Sequence, residues 1–156
     1  LKGIIACSLT HIILGQLDVG NAYMFVLYTG LGVVLGHNFP FYMQFKGGKG
    51  IAASGGMIVG LWDWRLVVVL LAAFIISVVV TRYVSVGSLT IMIGFFILYT
   101  IFAIHGDYNF TSNAKMVEGI ILAGVIAGMA VIRHLPNIKR LIAGTENKLS
   151  FGSKTA

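Results

Sequence analysis

A chain of 156 residues with 58% hydrophobic and only 10% charged residues is no ordinary soluble domain, for which about 45–50% and 25% are usual. Its mean hydropathy of +0.94 excludes a disordered or collagenous chain. The net charge of +6 would suit a nucleic-acid partner, but sparse Lys and Arg in so apolar a chain suit a membrane protein better, provided they cluster on one side.

Charged residues divide the chain into segments. No Asp, Glu, Lys or Arg occurs in 3–17, 19–45, 66–81 or 83–106. A membrane-spanning helix needs about 20 mainly apolar residues. Membrane segments are therefore predicted at 3–17, 22–36, 51–62, 66–81, 88–104 and 116–132. The fold class expected is an all-α polytopic membrane protein, a helical bundle with about six membrane segments. Gly36-His37-Asn38-Phe39-Pro40 should end the second segment. The 51–62 piece is short: it is either a half-helix or re-entrant segment buried in protein, or its true start lies in the preceding glycine loop. The chain opens on Leu1-Lys2-Gly3 and enters an apolar stretch at once, with no signal-peptide layout. The expectation is a truncated start.

Threading six segments puts Lys2, Lys46, Lys49, Arg82, Arg133, Lys139, Arg140, Lys148 and Lys154 on one side. Arg65 and Lys115 fall on the other. That asymmetry marks the first side as cytoplasmic. Trp62 and Trp64 fall at the outer boundary, where interfacial aromatics collect. Asp18, Asp63, Asp107 and Glu118 are also expected near it, leaving Glu146 the only cytoplasmic carboxylate. Three G-x-x-x-G pairs, Gly32/Gly36, Gly56/Gly60 and Gly124/Gly128, offer close helix approach within the bundle or between two copies. The lone Cys7 rules out an intrachain disulfide framework and a multi-cysteine metal site.

Polar chemistry gathers in three places on the basic side. The first ends in Lys46-Gly47-Gly48-Lys49-Gly50. Its glycines permit positive φ and expose backbone N–H groups, the makings of an anion nest. A helix starting at Ile51 would aim its positive dipole end at the same spot. Phosphate is the natural guest. Gly50 stands where a Walker A loop needs Ser or Thr, so the Mg²⁺-binding hydroxyl is missing. The competing reading is a flexible basic loop against lipid headgroups. The second place, Thr81 to Ser88, reads as a turn between spans. The third, Arg133 to Lys148, reads as a folded loop against the bundle, denser in Pro, Gly and amide side chains than a solvated basic tail. His11, within a span, reads as a packed residue rather than a ligand. No H-E-x-x-H, G-x-S-x-G or Cys/His zinc spacing occurs.

Gly36-His37-Asn38-Phe39-Pro40 with Phe45-Lys46-Gly47-Gly48-Lys49-Gly50 closely resembles the second motif of a known family. This is the bacterial integral-membrane acyl-phosphate:glycerol-3-phosphate acyltransferases, the PlsY type. Asn137, Arg140-Leu141 and Gly144-Thr145-Glu146-Asn147-Lys148 resemble its third motif. Arg82-Tyr83-Val84-Ser85 is similar to a stretch between them. The resemblance runs in order through essentially the whole of 1–156, read as a single membrane-embedded acyltransferase domain. The family's first motif, a Ser-Gly-Asn-rich loop after a first helix, has no counterpart here. The expectation is seven membrane segments in the intact protein.

The resemblance implies acyl transfer from a fatty acyl-phosphate to the 1-hydroxyl of glycerol-3-phosphate. Lysophosphatidic acid and phosphate are the products, in the bacterial cytoplasmic membrane with the site on its inner face. Neither metal nor nucleotide is implied, because an acyl-phosphate is already activated; the partners are the two substrates and membrane lipid. His37 and His134 are candidates for substrate hydrogen bonding or proton transfer. Lys46, Gly47, Gly48, Lys49 and Gly50 would hold a phosphate. Ser85 and Asn137 would position glycerol-3-phosphate. Arg140 and Lys148 are anion ligands or partners of Glu146, which reads as a structural pin. The H-x-x-x-x-D pair of other glycerol acyltransferases is absent, since Tyr42 and Lys139 stand at the acid's position. A transporter for a small phosphorylated anion is the alternative function, and a non-catalytic scaffold a weaker one.

Overall fold

The computed structural model describes residues 1–17 and 22–150. Asp18 and Lys154, used in the charge reading, lie outside them. The described chain is helical throughout: α1 (Lys2–Gln16), α2 (Ala22–Asn38), α3 (Ile51–Gly60), α4 (Trp64–Thr81), α5 (Val84–Ile104), α6 (Asn113–Arg133) and α7 (Leu135–Ile142). A 3₁₀ turn at Phe41–Met43 follows α2. Helices are the form an apolar chain takes when lipid offers its backbone no hydrogen bonds.

Four helical segments are long and apolar enough to cross a membrane: Ala22–Met43, Trp64–Thr81, Val84–Ile104 and Asn113–Arg133. Six were expected. The other two fall short, α1 with 15 residues and α3 with 10. At about 1.5 Å rise per residue, α3 covers only half of a hydrocarbon core of about 30 Å. The half-helix reading of 51–62 is the one that holds, and the glycine loop stays outside the helix.

Helix α1 packs against α2 and against α3, which runs parallel to it (Gly3 faces Gly56 and Cys7 faces Gly60), while α4 packs on α5 and α5 on α6. The core is filled by Leu27, Met57, Leu66, Leu70, Met92, Phe95, Tyr99 and Ile126, all buried. Of the three glycine pairs, Gly56/Gly60 works as a pair. A Cβ on Gly56 would meet the Gly3–Ile4 backbone at 2.8–3.1 Å, and one on Gly60 would run into Cys7. Gly124 lies against Phe96, whereas Gly32, Gly36 and Gly128 face open space. His11 is packed as expected, stacked on Trp62 at 5.1 Å.

Local chemistry sets the helix ends. Asp63 caps α4 by accepting from Arg65 N–H at 3.0 Å, and Ser112 caps α6 through Lys115 N–H at 3.3 Å. The presumed outer acids are neutralised there. Arg65 bridges Asp63 at 2.9 Å and Asp107 at 2.7 Å, and Lys115 pairs with Glu118 at 2.9 Å. On the basic side, Arg140 is the one cation paired with a carboxylate among the described residues. The end that carries Lys46, Lys49 and Lys148 therefore keeps an excess of positive charge.

Two elements depart from expectation at that end. Helix α5 starts at Val84, so Ser85 and Ser88 lie in its first turns rather than in a loop. Arg82 makes the turn, in a left-handed conformation (φ 62°) with its N–H on Val78 C=O. The Arg133–Lys148 region is not one loop. It begins with the short helix α7, which Pro136 enters near its N-terminus, where a missing N–H costs nothing. Gly144 follows α7 with φ 69°, the left-handed exit typical of a helix end.

Candidate active site

The basic loops converge on a cavity of about 670 Å³. Its polar lining comes from His37 at the end of α2, Lys49 and Gly50 of the glycine loop, Ser85 and Ser88 of α5, His134 and Asn137 at the α6–α7 corner, and Glu146, Asn147 and Lys148 beyond α7. Ile51, Ala52, Phe74, Val84 and Leu149 give it apolar walls. Three segments separated by tens of residues thus meet at one end of the bundle.

The sequence candidates divide between two cavities. His37, Lys49, Gly50, Ser85, His134, Asn137, Glu146 and Lys148 share the large one. Lys46, Gly47 and Gly48 do not line it. They border a neighbouring cavity of about 250 Å³ with Lys2, Pro40, Tyr42 and Met43, and His37 stands between the two. Arg140 lines neither.

Positive φ in the glycine loop is narrower than expected. Only Gly50 adopts it (φ 82°), together with the non-glycine residues Gln44 (52°) and Phe45 (60°). Gly47 and Gly48 are glycine for lack of space instead. A Cβ on Gly47 would overlap the His37 and Asn38 carbonyls, and one on Gly48 would sit 2.5 Å from His37 Nε2. From Gly47 through Ala53 no backbone N–H donates a hydrogen bond among the described residues. These are the free donors of the loop and of the α3 N-terminus, with Lys49 among them.

Glu146 is held as a pin. Its Oε1 accepts from Asn137 Nδ2 at 2.6 Å and its Oε2 from Arg140 Nε at 2.7 Å. Its side chain is only 7% exposed. The Asn137 hydrogen bond and then that of Arg140 pull its pKa down to about 2, against desolvation, and Ser85 adds a smaller favourable interaction. Lys148 takes no part in the pin. Its ammonium lies 5.8 Å from the centre of the Tyr83 ring and is free to face the cavity. One backbone bond, Leu149 N–H to Arg82 C=O at 2.7 Å, ties the segment after α7 to the α4–α5 turn.

His134 is buried, and its Nδ1 lies 2.8 Å from Ala130 C=O. A carbonyl only accepts, so Nδ1 carries the proton and Nε2 the lone pair. Burial lowers its pKa, the charge of Lys49 lowers it further, and the Ala130 bond and Glu146 oppose them. The ring is neutral at neutral pH. Asn137 Oδ1 is buried without a partner among the described residues, and Ser85 Oγ, though near enough to Glu146 to favour its charge, makes no well-formed hydrogen bond there. Such atoms are rare unless water or a ligand completes them.

Some of these groups carry no distinguishing signal in the sequence. Ser88 lay in the stretch taken as a turn. Asn147 was quoted only as part of a motif. Arg133, which lines neither cavity, was counted as a charge, but its position against the loop is set by tertiary packing that no local pattern reveals.

Fold and site together define a polytopic helical membrane protein with a basic, amide-lined cavity at one end. The family model described as glycerol-3-phosphate acyltransferase matches residues 1–144. A glycerol-3-phosphate acyltransferase of Thermoanaerobacter sp. (strain X514) is 38% identical over 155 residues, covering 99% of this chain and 68% of the relative. That of Chlorobaculum parvum is 33% identical over 153 residues, covering 91% and 66%. Crystal structures of PlsY, an integral membrane glycerol 3-phosphate acyltransferase, are also similar. The glycerol 3-phosphate form has a TM-score of 0.72 at 27% identity, covering 90% of this chain and 64% of that one. The lysophosphatidic acid form has a TM-score of 0.75 at 29% identity, covering 96% and 68%. The chain belongs to the glycerol-3-phosphate acyltransferase family.

Proposed function

We propose that the protein transfers a fatty acyl group from an acyl-phosphate to the 1-hydroxyl of glycerol-3-phosphate, on the cytoplasmic face of a bacterial inner membrane. The observation that carries this is the set of free amides on Lys49 to Ala52, residues that line the large cavity with Lys148 and His134, continued by those of Gly47 and Gly48 at the neighbouring one. Two phosphorylated substrates need such a field of donors and cations, and Phe74, Val84 and Leu149 supply an apolar wall for the acyl chain.

In this reading the hydroxyl oxygen attacks the acyl carbonyl carbon, the bond from that carbon to the phosphate oxygen breaks, and inorganic phosphate leaves. Backbone N–H groups with Lys49 and Lys46 hold phosphate. Asn137, through its unpaired Oδ1, and Ser85, through its hydroxyl, orient the hydroxyl-bearing substrate. Neutral His134, with its lone pair on Nε2, is a base suited to accept the hydroxyl proton, and the departing phosphate is a second acceptor. His37, in the wall between the two cavities, hydrogen-bonds substrate. Glu146, already ionised and doubly bonded, is a positioning group, with Arg140 as its partner.

The test of the reaction is G3P-dependent formation of lysophosphatidic acid by the intact protein supplied with acyl-phosphate; flux of phosphorylated anions across liposomes without acyl transfer would favour a transporter. Orientation has its own test. Cys7 is buried and is replaced first. A cysteine at Asn109 should then react with an impermeant thiol reagent from outside intact cells, and one at Asn147 should not. The reverse pattern would put the cavity on the outer face.

A further inference from the structure

Arg133, the last residue of α6, has no carboxylate partner among the described residues. It would pass for one more substrate-binding cation. Its guanidinium is instead committed to backbone. Nη2 donates to Gly47 C=O at 2.7 Å and to Gly48 C=O at 2.9 Å, and Nε also reaches Gly48 C=O at 3.2 Å. A longer contact of 3.4 Å reaches Asn38 C=O at the end of α2, and the ring of Phe39 lies 5.4 Å away.

These contacts have a geometric consequence. In a trans peptide the C=O and the following N–H point in opposite directions, and the described chain has no cis peptide. Holding the carbonyls of Gly47 and Gly48 on Arg133 turns the N–H groups of Gly48 and Lys49 away from it. Both N–H groups lack a partner among the described residues. Gly48 borders the smaller cavity and Lys49 the larger.

We propose that Arg133 is a positioning residue for phosphate binding: it fixes two successive peptide planes of the glycine loop so that their amides face the substrate side. It does so without touching substrate. The proposal rests on the loop being a phosphate site, as in the proposed function. It explains why arginine serves here, because the planar fork reaches two adjacent carbonyls at once. Lysine keeps the charge as a point and cannot hold both planes in register.

The test compares the intact parent protein with Arg133→Lys and Arg133→Met. Two readouts are taken: KM and kcat for each substrate, and the shift in melting temperature in detergent caused by inorganic phosphate alone. Both variants should raise KM for a phosphorylated substrate about tenfold or more, equivalent to about 1.4 kcal/mol, with kcat changed much less. Both should lose the phosphate-induced shift. Near-parental KM in Arg133→Lys would show that charge alone suffices and would overturn the proposal. So would a fall in kcat at unchanged KM, or a failure of both variants to fold, which would make Arg133 a stability residue. If the parent transfers no acyl group yet phosphate still stabilises it in an Arg133-dependent way, the functional reading fails while this proposal stands.

Discussion

Gly48→Val is expected to cut acyl transfer by about 100-fold, about 2.7 kcal/mol in activation free energy, while the protein still inserts and melts near the parent temperature. The first added carbon lands 2.5 Å from His37 Nε2. That atom is the tip of a side chain that can swing away, so the clash is relieved without unfolding. The relief displaces a residue that borders both cavities. Gly47 behaves differently, because its Cβ would overlap the backbone carbonyls of His37 and Asn38. Gly47→Val should therefore lose folded protein outright. Measuring product formation beside thermal stability separates the two. Parental activity in Gly48→Val would remove both Gly48 and His37 from the site.

Glu146→Ala is expected to lose both activity and most of the folded yield, with Glu146→Asp partly tolerated. Removing the carboxylate strands Asn137 Nδ2 and the Arg140 guanidinium, both bonded to it in the parent. Asn137 is buried and its Oδ1 already lacks a partner among the described residues, so an orphaned donor beside it is costly. The pin should also show in the pH dependence. The folded pKa of Glu146 is about 2, below its ordinary value of 4.5. A depressed carboxyl pKa gives stability that is complete above about pH 4.5 and drains away as pH falls toward 2. Melting temperatures between pH 6 and pH 3 should fall more in the parent than in Glu146→Ala. A variant that melts like the parent at every pH yet is inactive would mean that the carboxylate acts on substrate. From the sequence, Asn137 reads as a substrate ligand and Glu146 as a separate pin. Their 2.6 Å bond makes them one unit, and the effects of Asn137→Ala and Glu146→Ala should not add.

The bundle and its basic end were legible because charge is so scarce. Each Lys or Arg that interrupts an apolar run marks a boundary, and the three basic segments do converge on one cavity. The short α3 could be read from the closeness of Gly50 to Asp63, and the 15-residue length of α1 from the charge-free run 3–17. Helix α7 was missed with its signals in view. Pro136 stands near its start, Lys139 and Arg140 in its last turn and Gly144 past its end, the asymmetry that marks a helix. They were read as loop residues because they follow a span in a polar stretch. The start of α5 had no such signal, since Arg82 turns the chain at positive φ without being glycine. Arg133 could not be assigned from sequence at all. Nothing local distinguishes an arginine that binds substrate from one that grips the carbonyls of a loop more than eighty residues away.

The most direct measurement is the fate of a labelled acyl-phosphate given to the purified intact protein, with and without glycerol-3-phosphate. The expected result is labelled 1-acylglycerol-3-phosphate and one inorganic phosphate per acyl group, both requiring glycerol-3-phosphate and both lost in Gly48→Val. Phosphate release that ignores glycerol-3-phosphate, or an acyl group that stays on its donor while anions cross the membrane, would contradict it.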